Sequence, residues 1–328
     1  MTDLSEEYRN VSTGAGWRLD RARERLQIAG RDAGSFLHAL VTADVLAVPS
    51  GGGVYAAYLT PLGRMICDMS LYRRGDSWLA DLPPGLAAPL LARLDALIFT
   101  EDVRVADVSH STGLVSVFGA EAAEVVGRAS AVDAASLIAL PLRGTVDLSD
   151  VMVARTDAAA VPTFDLVMPA GQVAAVTDRL TRAGAIEMRD ETAEVFRLEA
   201  GRPAFGVDMH ADTIPLEAGL LERAISLTKG CYVGQEVIIR VLHRGGGRVA
   251  KRLMRLEAER ADGAIAAGSV IVAGDREVGR VTSAVWSPSR GRAIALGYLH
   301  REAAVERHPV LIRAPHSDTQ AVIVGPAG

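Results

Sequence analysis

Cysteine is nearly missing from these 328 residues, with Cys67 and Cys231 the only two. They lie far apart and form no C-x-x-C pair, which excludes a disulfide framework or a zinc knuckle as the basis of the fold. A reducing cytoplasm is the compartment expected for such a chain. No histidines stand in pairs at helical ligand spacing, so histidine-based metal binding is not expected. Hydrolase nucleophile motifs of the G-x-S-x-G kind are missing as well. No apolar run reaches the roughly 18 residues of a membrane span, and Met1 to Asn10 are polar and acidic, without the apolar centre of a secretion signal. Positive charge is not in excess: 35 basic residues against 40 acidic ones leave a net charge of -5. Nothing general therefore draws nucleic acid or an anionic membrane to this chain.

What is present is the composition of an ordinary globular protein, in a chain longer than one core usually supports, so two or three domains are expected. Val54 to Leu82 reads as strands separated by Thr60-Pro61-Leu62-Gly63 and Arg74-Gly75-Asp76. Pro84 to Phe99 carries leucines and alanines at helical spacing and leads into strand-like Val103 to Val108. The order recurs, with strands at Val151 to Ala154 and Phe164 to Met168, an amphipathic helix at Gly171 to Ala183, and a returning strand at Ala185 to Met188. The pattern predicts an α+β fold of two mixed layers with split β-α-β units, helices on one face of a mainly antiparallel sheet. Glu191 to Gly201 reads as a short helix stopped by Gly201. Arg244 to Arg248 (Arg-Gly-Gly-Gly-Arg) reads as a linker. From Leu253 onward, short strands such as Gly268 to Val272, Glu277 to Val285, Ala293 to Tyr298 and Val310 to Ile312 predict a small C-terminal β-barrel.

Two kinds of residue carry chemistry. In Lys229-Gly-Cys-Tyr-Val-Gly-Gln-Glu236, glycines flank the thiol of Cys231 and allow unusual backbone or close ligand approach. With a helix from Gly234 to His243, Cys231 falls just before an N-terminus, and Lys229 nearby favours thiolate. The alternative is that Cys231 is a small buried hydrophobe. Gln235 and Glu236 fit a capping role at the start of that helix. Asp68 shares a predicted strand face with Ile66, where a carboxylate is either paired or functional. Asp165, in Thr163 to Met168, poses the same choice, the alternative being a solvent-facing residue of an edge strand.

The octet, with Arg197 to Asp208 and Thr213-Ile-Pro-Leu-Glu217, resembles the YgfZ-type folate-binding proteins, relatives of the glycine-cleavage T-protein, a tetrahydrofolate-dependent aminomethyltransferase. Gly30 to Leu37 and Leu40 to Val45 also resemble that superfamily's opening segment. The resemblance implies three domains: residues 1–110 with 190–245 as a discontinuous folate-binding α+β domain, 111–189 as a second α+β domain, and 248–328 as the barrel. It implies tetrahydrofolate as cofactor, with Asp68 matching the second of a T-protein aspartate pair and Cys67 replacing the first. Asp165 stands where T-proteins have a pterin-gripping glutamate, and Ala193 where they have a folate-site arginine. Tyr55 would be a wall of the pocket, with Lys229, Tyr232 and Arg240 around it and around Cys231, and Cys231 itself marks the YgfZ-type group.

By that resemblance the protein is a folate-dependent accessory factor for iron–sulfur cluster assembly or repair. Its partners would be iron–sulfur proteins or assembly factors, affecting enzymes such as those that modify tRNA. An aminomethyltransferase or demethylase of the T-protein type is the alternative, and a non-catalytic folate-binding adaptor is a third reading.

Overall fold

The alternation marked between Val54 and Leu82 folds as three strands whose turns fall where the glycines stand. The computed structural model describes residues 3–243, 246–314 and 318–328. Arg244 and Gly245 of the expected linker, like Met1 of the amino-terminal reading, lie outside these described residues. Two compact units emerge. The first comprises residues up to Tyr58, Cys67–Thr192 and Ala224–Val233, and the second Leu59–Ile66, Ala193–Arg223 and the chain from Gly234 onward.

The first unit runs α1 (Leu4–Thr13), β1 (Gly16–Asp20), β2 (Glu24–Ala29), α2 (Ala33–Leu40), β3 (Gly53–Leu59), β4 (Met65–Arg74), β5 (Ser77–Leu82), α3 (Ala87–Asp95) and β6 (Arg104–Asp107). It continues with β7 (Thr112–Phe118), α4 (Ala122–Ser130), α5 (Ala134–Ile138), β8 (Thr145–Leu148), β9 (Val151–Thr156), β10 (Thr163–Pro169), α6 (Val173–Arg182) and β11 (Ile186–Glu187). Its strands make a five-stranded sheet, β3-β4-β5-β2-β6, and a six-stranded sheet, β11-β1-β7-β10-β9-β8. The pairing is mainly antiparallel, and β11 lies parallel to β1. Alternation sends Val115, Val117, Phe164, Leu166 and Met168 of the six-stranded sheet against α4, α5 and α6, where Val125, Leu137, Val176 and Leu180 complete a buried core. The opposite face carries Leu114, Met152, Ala154 and Val167, which pack on Tyr72 and Leu79 of the five-stranded sheet. The two sheets therefore stack with a layer of side chains between them, Tyr72 fully buried in it.

The expected elements are in place, with shifts at their ends. The helix expected from Gly171 begins at Val173, after a single 3-10 turn at Ala170–Gln172. Helix α1 has no counterpart in the sequence reading, because Tyr8 and Val11 are the only apolar residues it buries.

The second unit carries α7 (Asp190–Glu199), α8 (Leu221–Ala224) and α9 (Gln235–His243), the first two reaching across its chain boundaries, and then β12 (Lys251–Ala258), β13 (Val270–Ala273), β14 (Arg276–Ser287), β15 (Arg292–His300), β16 (Pro309–Arg313) and β17 (Asp318–Pro326). These six strands close into a barrel in the order β12-β15-β14-β13-β16-β17, which leaves no unpaired sheet edge. Met254, Leu256, Ile271, Val281, Leu299, Ile312 and Ile323 fill it. Leu198 of α7 packs with Leu253, Ile294 and Leu296. Arg197, one residue earlier, donates to Glu194, to the fully buried Asp208 at 2.6 Å and to Ser283. Asp208 also accepts from Thr282 and Ser283, so this buried charge is fully partnered.

Candidate functional site

Register places the acidic residues in the layer between the two sheets. Ser70 of β4 pairs with Asp81 of β5, which pairs with Arg25 of β2. Side chains alternate along a strand, so Asp68, Ser70 and Tyr72 share a face with Asp81. On the other sheet, Asp165 lies opposite Ser116 of β7 and two residues before Val167, on the face that meets Tyr72. β10 is an interior strand, between β7 and β9, which rules out the solvent-facing edge position for Asp165.

Within this layer Asp68 is buried. The Tyr55 hydroxyl, on β3, donates to its Oδ2 at 2.5 Å, while Oδ1 is buried without a hydrogen-bond partner among the described residues. Burial raises the Asp68 pKa, against the Tyr55 hydrogen bond and the Arg23 charge. Arg23 donates to Asp81 Oδ2 through Nε at 2.8 Å and Nη2 at 2.6 Å. Ser116 Oγ donates to Asp165 Oδ1 at 2.5 Å. Burial pushes Asp165 up to about 6, with the neighbouring Asp81 charge adding to the shift and Ser116 and Arg23 opposing it. Both aspartates thus feel Arg23 and Asp81, which tie them into one electrostatic group. Arg143 stands over the Tyr55 ring at 5.1 Å and pairs with Asp157 at 2.9 Å. Among the described residues Asp68 Oδ1 is left as a free acceptor, so the layer suits a ligand that brings an N–H donor.

The thiol segment is anchored separately in the same unit. Lys229 is buried, and its ammonium donates to the carbonyls of His38, Val41 (2.7 Å) and Ala43 (3.1 Å). These carbonyls lie at and just beyond the end of α2, where cations are favoured. Thr42 adds a second tie, its hydroxyl donating to Ala224 O at 2.6 Å and accepting from Ala57 N at 2.9 Å. Burial lowers Lys229 to about 8. Its three donors are spent on main chain. Cys231 is exposed, whereas Tyr232 is buried with its ring 5.1 Å from Lys229 Nζ, and burial lifts its phenol to about 12.

Among the other expected residues, Cys67 alternates to the face away from Asp68 and is buried, and that burial pushes its thiol well up. Arg240 is exposed on α9, in the second unit. Arg23, Asp81, Ser116 and Arg143 escaped the sequence reading. Asp81 carried the same cue as Asp68, a lone carboxylate in the apolar strand Ser77-Trp-Leu-Ala-Asp-Leu82. The other three carry no local signal. Among the described residues, no cluster of three or more His, Cys, Asp or Glu side chains is arranged to hold a metal ion.

Known proteins resemble this chain along most of its length. The GCVT N-terminal domain profile matches residues 2–229, and the glycine cleavage T-protein C-terminal barrel domain profile matches residues 251–327. An aminomethyltransferase of Rubrobacter xylanophilus is 30% identical over 301 residues, covering 91% of this chain and 80% of that protein. One from Corynebacterium jeikeium is 28% identical over 303 residues, covering 85% of this chain and 77% of its own. The crystal structure of the glycine cleavage system aminomethyltransferase T from Bartonella henselae superposes with a TM-score of 0.88 over 98% of this chain and 88% of that one. At 21% identity, this last likeness is one of fold.

Proposed function

The chain belongs to the glycine cleavage T-protein family, and from that premise we propose that it binds tetrahydrofolate against Asp68 and Asp165 and serves a one-carbon transfer of the aminomethyl type. Tetrahydrofolate is the cofactor of the family's aminomethyltransferases. The observation that carries the reading is the buried Asp68 Oδ1, which has no hydrogen-bond partner among the described residues, since an orphaned buried acceptor costs roughly 1–3 kcal/mol unless a ligand donor meets it. Tyr55 fixes the other oxygen, so Asp68 presents a single oriented acceptor to a pterin N–H. Asp165, which burial raises to about 6, takes or releases a proton at the same layer. When bound, the folate supplies the nitrogen that receives the one-carbon unit.

Equilibrium binding of tetrahydrofolate to the parent, Asp68→Asn and Asp68→Ala tests the site. Both variants should bind at least roughly tenfold more weakly, the loss of one hydrogen bond to a charged group, and formation of methylene-tetrahydrofolate from a methylamine-type donor should disappear with them. Undiminished affinity in Asp68→Ala would remove the site from the layer.

The exposed thiol favours a second reading, that of a folate-binding factor for iron–sulfur cluster assembly or repair of the YgfZ type. An exposed cysteine beside a firmly anchored Lys229 suits a reacting group better than packing. Cys231→Ala is then expected to abolish rescue of iron–sulfur enzyme activity in a deletion strain while tetrahydrofolate affinity stays nearly unchanged. Full rescue by that variant, together with turnover of an aminomethyl donor, leaves the transferase reading alone.

A further inference from the structure

A cavity of about 680 Å³ opens in the first unit between the β4–β5 hairpin and the edge strand β8. None of the carboxylates of the folate layer lines it. Its walls are fixed by main-chain bonds through the 49–52 loop: Gly51 N donates to Arg73 O, Arg73 N to Gly52 O at 2.8 Å, and Thr145 N to Gly51 O at 2.7 Å. The site is thus built before any ligand arrives, which lowers the cost of binding.

Its charges do not balance. Arg74 is met by Asp147 of β8 at 2.8 Å. Arg73, half-buried beside it, has only carbonyls and a ring: Nη1 donates to Val48 O at 2.9 Å, Nε to Gly75 O at 3.3 Å, and the guanidinium lies 6.0 Å from the Trp78 ring centre. Among the described residues no carboxylate pairs with Arg73. Ser50 and Thr145 add hydroxyls to the lining, so the cavity carries one uncompensated guanidinium among neutral donors.

We propose that this cavity binds a small molecule through an anionic group, phosphate or carboxylate, set against Arg73. A guanidinium recognises such oxygens with charge-assisted, often bidentate hydrogen bonds, which are stronger than bonds to carbonyls. The volume lies within the range of sites that take small molecules, so the anionic group is one end of a larger ligand.

Calorimetric titration of the full chain at low ionic strength, with inorganic phosphate and separately with succinate, tests this. Saturable binding in the millimolar range, about what one anionic contact supports, is expected for at least one probe. Phosphate alone indicates a phosphoryl ligand, and succinate alone a carboxylate. Arg73→Gln should weaken the bound probe roughly tenfold or more, Arg73→Lys should keep part of the affinity, and Asp147→Asn should tighten it by releasing Arg74. Absence of saturation with both probes, or equal affinity in a folded Arg73→Gln, overturns the proposal. Should Arg73→Gln fail to fold, unchanged affinity in Asp147→Asn overturns it instead.

Discussion

Asp165 and Asp68 sit where burial works against their charge, and the two are handled differently. Tyr55 and Arg23 both favour the ionised form of Asp68, yet burial still raises its pKa. At Asp165 burial and Asp81 together outweigh Ser116 and Arg23, and the group reaches about 6. Its folded pKa therefore exceeds the unfolded value, so the folded state holds the extra proton between pH 4 and 6, and stability falls as pH rises through that window. Relative to Asp165→Asn, the parent should lose on the order of 2–3 kcal/mol between pH 4 and 6 and then level off. Urea denaturation of both proteins across that range measures it. A parent and variant that track each other would mean that Asp165 is ionised at no cost.

Among the elements, the β3–β4 hairpin brings Tyr55 to Asp68 from neighbouring strands. Its tip closes with Thr60 N to Arg64 O at 2.8 Å and Gly63 N to Thr60 O at 2.9 Å. Gly63 has φ +70°, and a Cβ there would lie 2.7 Å from Val237 Cβ. Gly75, in the next hairpin, has φ +63° and nothing within 4 Å of such a Cβ. Gly75→Ala should cost about 1 kcal/mol of backbone strain alone, and Gly63→Ala about 1–3 kcal/mol more through overpacking. Chemical denaturation of the two variants separates strain from crowding. These turns were legible because Thr-Pro-Leu-Gly and Arg-Gly-Asp interrupt apolar runs, and α6 was legible from its i, i+4 stripe of Val176 and Leu180. Helix α1 was not, since an element that buries two apolar residues leaves almost no periodic signal.

Across the whole molecule, the T-protein superfamily, the α+β layers and the closed barrel were readable from chain order, strand punctuation and the resemblance. The partners of Asp68 and Asp165 were not. Pairing Asp165 with Ser116, 49 residues away, and placing both beside Arg23 depends on which sheet faces which, and neither spacing nor composition encodes that stacking. Cys231 was legible as a motif, while the three carbonyls that seat Lys229 lie about 190 positions upstream and could not be foreseen. Ligand linkage offers a test at this scale. Tetrahydrofolate at about 100 times its dissociation constant should stabilise the parent by roughly 2.7 kcal/mol, seen as a rise of several degrees in its melting temperature. Asp68→Asn, binding about tenfold more weakly, should show at most about half of that rise at the same concentration, and an equal rise in both would point to a site elsewhere in the chain.

The late return of residues 224–233 to the first unit also sets a schedule for biosynthesis. When Thr192 leaves the ribosome, most of that unit has emerged, but Lys229 and Ala224, which fasten to the end of α2 and to Thr42, have not. At about 5–20 residues per second, the carbonyls of Val41 and Ala43 wait some seconds for their cation. Nascent chains arrested before this strap should accordingly be nicked by protease near residues 38–45, and chains arrested well after it should be spared.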